Sequence, residues 1–444
     1  MTITPPRPMG EFARRAPGAE LGSTAGRGGA DDAMPAAGRD LPGPVRSRLR
    51  RGSRRAPARR GYLTATLLRC ALYLGPLSVT IAAAGSLRRV PWLVPVTVLV
   101  LGWSAAQALT SVGTSVAKRS GAAAGARLVG GGFLAAGALY GALIWVAPAG
   151  LLDDERWLAA GIGAGGLAVL ATVTAALVTR AEAAVIRWSL PCWLLAPVTL
   201  ASAVGDGWAD RVPIGPLLLA AIGAGLVRAF RPAFTRGLPD RPPLLRAELR
   251  RGLGLLVVGA AQAICLALLW RAGPAGVTSP AALPLLAAVP VLEALVAWHV
   301  RQVDAGLDLA ESDDDYGRHV RGVAIVTVAG LVPPLAAGAA LAVAAYRLPY
   351  GLSTMAGTRD GVLALAAGTL LGGVFAITFL LAARGRTALA ATLAAAPPLV
   401  TVAAPLLPLP LPNRLPLLVV VLTATHLVGL LTVAHTAADH RRTL

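Results

Sequence analysis

A chain of 444 residues with 55% hydrophobic and only 14% charged residues, and a mean hydropathy of +0.65, is too apolar for a soluble globular protein. The net charge of +19 would suggest nucleic acid in a soluble chain, but here the arginines fall between apolar stretches and in the N-terminal tail. Anionic membrane lipids, not nucleic acid, are therefore the expected counterion. Cys70, Cys192 and Cys265 all lie inside apolar stretches, which excludes a disulfide framework and a metal-ligand spacing, and no cofactor or metal is expected.

Residues 1–60 are rich in Pro, Gly, Ala and Arg, lack a periodic apolar face, and are expected to form a disordered tail. Its last part carries Arg46, Arg48, Arg50, Arg51, Arg54, Arg55, Arg59 and Arg60 with no acid. Such a run before a membrane segment reads as cytoplasmic, held near anionic lipid at about 1 kcal/mol per residue, and could also dock a cytoplasmic partner.

A spanning helix needs about 20 mostly apolar residues. Twelve segments meet this: 62–84, 90–112, 128–150, 157–179, 186–205, 212–230, 252–270, 281–300, 322–345, 361–383, 388–407 and 415–436. The predicted fold is all-α, a polytopic transmembrane bundle of about twelve spans in two six-helix lobes. The lobes cover 61–230 and 252–436, joined by a basic linker at 231–251 and followed by a short tail at 437–444.

Basic residues mark one side. Connections on that side hold Lys118, Arg119 and Arg127, then Arg180 and Arg187, then Arg231 to Arg251, Arg301 with Arg318 and Arg321, and Arg384 with Arg386. The opposite connections hold fewer, which by the positive-inside rule places both termini in the cytoplasm. Lys118 is the sole lysine against forty arginines, a bias that suggests a GC-rich bacterial genome and hence an inner membrane. Trp92, Trp157, Trp208, Trp270 and Trp298 sit at predicted helix ends as an interfacial belt requires, and the pairs Pro333-Pro334 and Pro397-Pro398 should kink their helices.

The two sets of six have the same orientation, as parallel repeats would. Gly125-Ala126-Arg127-Leu128-Val129-Gly130 and Gly317-Arg318-His319-Val320-Arg321-Gly322 stand at equivalent places, 192 residues apart. The stretch Gly113-Thr114-Ser115-Val116-Ala117-Lys118-Arg119-Ser120-Gly121, running on through Arg127 to Gly132, resembles the second cytoplasmic-side connection of the multidrug/oligosaccharidyl-lipid/polysaccharide (MOP) exporter superfamily. That superfamily includes MATE transporters and lipid-linked oligosaccharide flippases. The resemblance implies alternating access between two lobes. Segment one carries no acidic residue for a cation-coupled drug site, so flipping or export of a lipid-linked saccharide or other amphipath is the implied activity. Gly113, Val116, Arg119 and Gly121 also approximate the major-facilitator signature, which keeps a small-molecule transporter as the alternative.

Ionisable groups at depth cost about 2.5–3.5 kcal/mol each on insertion scales, so they face a cavity or a partner. Glu293, near mid-bilayer in segment eight, is either a proton- or cation-coupling carboxylate or the partner of an arginine from another helix. Arg69 either snorkels or lines a cationic cavity for a diphosphate headgroup, and Arg187 and Arg228 are further candidates for attracting an anionic headgroup. Arg228 and His299 also lie near enough to segment ends to snorkel. His426 in segment twelve is read as an interhelical hydrogen bonder or a proton relay; Gln107 and Gln262 as interhelical glue or substrate contacts.

Enzymes that act on lipid carriers usually place acidic or histidine motifs in a large outer loop. Asp153-Asp154-Glu155, Asp206 and Asp210 sit in loops too short for this, so no catalytic residue is expected. A non-transporting scaffold, docking partners through the arginine-rich tail and the acidic stretch from Asp304 to Asp315, is the remaining reading.

Overall fold

The computed structural model describes residues 62–152, 155–205, 207–234, 244–272, 282–310, 312–349, 357–404 and 414–438. The expectations for the N-terminal tail, for linker residues 235–243, for Asp153, Asp154 and Asp206, and for residues 439–444 fall outside them.

Twelve long helices are present among the described residues: α1 (Tyr62–Ala82), α2 (Leu93–Ser120), α3 (Ala122–Val146), α4 (Arg156–Thr179), α5 (Glu182–Val204), α6 (Ile214–Phe230), α7 (Arg246–Ala272), α8 (Ala282–Leu309), α9 (Asp313–Tyr346), α10 (Thr358–Ala383), α11 (Thr387–Ala403) and α12 (Arg414–Ala438). Nine of them are long and apolar enough to cross a membrane, and Thr66–Ala82 and Thr387–Ala403 are shorter apolar helices. The twelfth, α8, has 28 residues but carries Glu293, His299 and a charged last third. The chain is thus a multi-pass membrane protein whose described residues form helices and no strand, the form in which every backbone polar group is satisfied within its own segment.

The connections on the arginine-rich side are shorter than the sequence suggested, because the helices do not stop where the apolar stretches stop. Charged side chains end a spanning segment but not a helix, since outside the bilayer water solvates the same residues on a continuous backbone. The expected connection at 113–127 shrinks to Gly121, at φ 91°, whose N–H bonds the Ala117 carbonyl as α2 turns into α3. That turn explains its glycines: a Cβ on Gly125 would lie 2.8 Å from Ala117 Cβ and 3.0 Å from the Gly113 carbonyl oxygen. Likewise α8 and α9 are separated only by residues 310–312. There Ser312 caps α9, its hydroxyl accepting from the Asp315 N–H at 3.2 Å and donating to the Asp315 carboxylate at 2.8 Å. Asp313, Asp314 and Asp315 occupy the first turn of α9, where the helix dipole favours negative charge. The proline pairs expected to kink α9 and α11 lie within helices that continue past them.

The second six helices repeat the neighbour pattern of the first. In the first set α1 packs on α5, α2 on α3 and α4, α3 on α4, and α6 on α4 and α5; α7 to α12 reproduce each of these pairings in order. The central helix of each set is the most enclosed: α10 is buried along most of Leu363–Ala383, and α4 buries Ala171, Thr172 and the run from Thr174 to Val178. A helix apolar all round, as both are, can be surrounded by others. The two sets meet through α2 against α7 and α1 against α8, and the first of these contacts is much the more extensive.

Candidate functional site: a buried ion pair joining the two halves

The contact of α2 with α7 runs the full length of both helices. At the arginine-rich end Arg119 Nη2 lies 2.7 Å from Glu248 Oε2, and the same carboxylate accepts the Leu245 N–H at 3.1 Å. Further along, Gly252 takes Val112, and Gly259 lets the Gln107 side chain and the Ser104 backbone approach so closely that a Cβ there would be 3.0 Å from both. Trp103 Nε1 donates to Gln262 Oε1 at 3.1 Å, and Gln262 Nε2 donates to Thr378 Oγ1 of α10 at 3.0 Å. At the far end the Arg271 guanidinium lies 6.0 Å from the Trp92 ring centre, a cation–π distance.

The contact of α1 with α8 is shorter and holds the more buried ion pair. Glu293 Oε2 lies 3.3 Å from Arg69 Nη1, and Glu293 Oε1 accepts the Tyr73 hydroxyl at 2.7 Å. The glutamate side chain is 4% exposed and that of Arg69 16% exposed. Arg69 therefore does not extend to the surface; it is turned toward the carboxylate of the opposite half. Arg69 and Tyr73 are four residues apart on one helix and so present one face to Glu293. Both carboxylate oxygens are thus occupied by donors from α1, which offsets the cost of carrying a charge at this depth.

The other residues singled out from the sequence are dispersed. Gln262 is buried and bridges α2, α7 and α10, and Gln107 packs on Gly259 in the same seam. His426 is fully buried in α12, and its Nε2 lies 3.1 Å from the Leu331 carbonyl oxygen of α9. Arg187 is exposed on α5 and Arg228 is half-buried near the end of α6, so neither joins the Glu293 cluster.

His299 does not snorkel as expected; it is 3% exposed. Its Nδ1 is 2.7 Å from Thr327 Oγ1, and its Nε2 is 3.2 Å from Arg384 Nε and from Nη2. The Thr327 hydroxyl already donates to the Val323 carbonyl at 2.7 Å, so it accepts from His299, which assigns the proton of a neutral ring to Nδ1 and leaves Nε2 to accept from Arg384. Arg384, placed in an arginine-rich connection from the sequence, turns inward instead and also donates to the Val433 carbonyl at 3.3 Å. Two participants were missed from the sequence, Tyr73 and Arg384. Tyr73 carried a usable signal, its i, i+4 spacing from Arg69.

The sequence matches no protein-family model, and no curated protein matches it. The fold does have counterparts among solved structures. One is an outward-facing multidrug resistance MATE family transporter of the MOP superfamily, at TM-score 0.58 and 14% identity over 87% of this chain and 98% of that one. Another is a MATE protein carrying a proline-to-alanine substitution, at TM-score 0.54 and 14% identity over 86% of this chain and 96% of that one. At this identity the likeness is one of fold: the chain has a MATE-like helical architecture over most of its length.

Proposed function

We propose that this protein is an alternating-access transporter of the inner membrane, with both termini cytoplasmic, which flips or exports an anionic amphipath such as a lipid-linked saccharide. The observation that carries this reading is the Arg69–Tyr73–Glu293 cluster, because it joins the two halves by charge rather than by shape. The longer α2/α7 seam, packed along its length and closed at one end by Arg119 with Glu248, can only be pulled apart at the cost of its buried area. An ion pair can be exchanged: a proton on Glu293 removes the partner of Arg69, and an anionic headgroup replaces it. In this account Glu293 is the coupling carboxylate, Arg69 receives the headgroup, and release of the pair lets the two halves part.

The test uses proteoliposomes loaded with a fluorescent polyprenyl-diphosphate disaccharide. Dithionite added outside reports how fast probe leaves the inner leaflet. Wild-type protein should accelerate exchange, and Glu293→Gln should reduce it severalfold while inserting and eluting normally. Normal exchange by Glu293→Gln would remove the carboxylate from the mechanism.

A further inference from the structure

The near-repeat of the two halves is broken where the third and sixth helices of each set face one another. In the second half α9 packs against α12, with His426 reaching the Leu331 carbonyl across the junction and both side chains fully buried. The equivalent helices of the first half, α3 and α6, scarcely touch. Between them lies a groove of about 1290 Å³ floored by α4.

The sequence explains why it stays open. Gly130, Leu134, Gly137, Ala138 and Gly141 recur at helical spacing along the facing side of α3, and Ala160, Ala164, Leu167, Ala168 and Ala171 recur in the same way along α4. Several other glycines of these helices are filled by a neighbour, as Gly132 is by Leu109, Gly163 by Tyr140 and Gly166 by Val98. By contrast a Cβ on Gly131, Gly137 or Gly141 would meet nothing within 4 Å. Leu134 and Val227, on the two rims, are 77% and 67% exposed, so the groove opens sideways from the bundle, where the bilayer lies.

The two ends of the groove differ in charge. Arg127 lines one end and is held there by its Nε donating to the Ala233 carbonyl at 3.0 Å, an arrangement that uses one edge of the guanidinium and leaves its terminal amino groups directed elsewhere. Arg228 at the end of α6 and Arg231 just after it stand at the same end, and among the described residues no acidic side chain lines the groove. From Arg127 to Gly141 the groove follows α3 for about 21 Å at the helical rise, more than the ~15 Å of one leaflet's hydrocarbon.

We propose that this groove is a binding site for one anionic phospholipid of the arginine-rich leaflet, its acyl chains lying on the glycine and alanine faces of α3 and α4 and its phosphate held by Arg127. A guanidinium suits this role because its parallel N–H groups match phosphate oxygens. The lipid completes the first half much as the packing of α12 on α9 completes the second. The site is separate from the Glu293 cluster and does not depend on the transport reading.

Native mass spectrometry of the full chain, released from mixed micelles with equimolar phosphatidylglycerol and phosphatidylcholine, tests it. Wild-type protein should retain one phospholipid, with phosphatidylglycerol favoured about fivefold, the ratio that one arginine near an anionic surface supplies. Arg127→Gln should keep the lipid and lose the preference. Gly137→Leu, which fills the groove without displacing a neighbour, should lose the lipid of either class, and Gly141→Leu one turn along repeats that test. Gly322→Leu, placing the same side chain on an exposed face of α9, should behave as wild type. Absence of a retained lipid in wild type, equal retention of both headgroups, or wild-type retention by both groove-filling variants would overturn the proposal.

Discussion

Replacing Arg69 and Glu293 by leucine, singly and together, measures whether the two halves are held by charge. The closest N–O distance of 3.3 Å gives a gross attraction of about 5 kcal/mol at an effective dielectric of 20, before desolvation is subtracted. Removing one partner of a buried pair leaves an uncompensated charge and typically costs about 3–5 kcal/mol, whereas replacing both by apolar groups is often close to neutral. Neutral interhelical hydrogen bonds in membranes average only about 0.6 kcal/mol, so loss of the Tyr73 hydroxyl alone cannot account for a change of that size. Each single variant should therefore lose at least about 3 kcal/mol, the double variant less than either, with a coupling energy of more than about 2 kcal/mol in the cycle. Steric trapping in bicelles, which measures unfolding free energy without leaving the lipid, is the assay. Additive losses, with a coupling below about 0.5 kcal/mol, would refute the pairing and with it the argument that Glu293 carries a charge in this state.

Two other substitutions probe packing. A Cβ on Gly373 would run into the imidazole of His426, so Gly373→Ala should destabilise by about 1–3 kcal/mol, as overpacking does, and lower the melting temperature in detergent. Gly163→Ala meets the Tyr140 ring, whose hydroxyl donates to the Ala159 carbonyl at 2.8 Å, and should cost a similar amount, with less effect when combined with Tyr140→Leu. The seam between α2 and α7 can be tested by bridging. In a chain whose three cysteines are replaced by alanine, Arg119→Cys with Glu248→Cys, joined by a short bis-methanethiosulfonate, should arrest probe exchange, and reductant should restore it. Unchanged exchange in the bridged chain would mean that this end of the seam does not open.

The number and order of the helices were legible because a spanning segment has a length and an apolar composition that the bilayer dictates. Their ends were not, since Lys118 and Arg119 mark where hydrocarbon stops and leave the backbone helical on either side. The acidic stretch before Asp315, which looked like a docking surface, proved in part to be the first turn and cap of α9. Glu293 and Arg69 stood out as ionisable residues among apolar ones, but they are 224 positions apart, and nothing local links them. Arg384 was unreadable because a basic residue at a helix end can turn to water or inward, and only the position of His299 decides it. The lipid groove was hidden for a related reason: Gly131 and Gly132 are adjacent and alike in sequence, yet one faces open space and the other Leu109.

Deletion of the gene, followed by measurement of polyprenyl-diphosphate saccharides on the cytoplasmic leaflet, addresses the central claim most directly. The account predicts their accumulation and a loss of surface polymer, both reversed by the wild-type chain and not by Glu293→Gln. No accumulation together with normal surface polymer, or full rescue by Glu293→Gln, would contradict it.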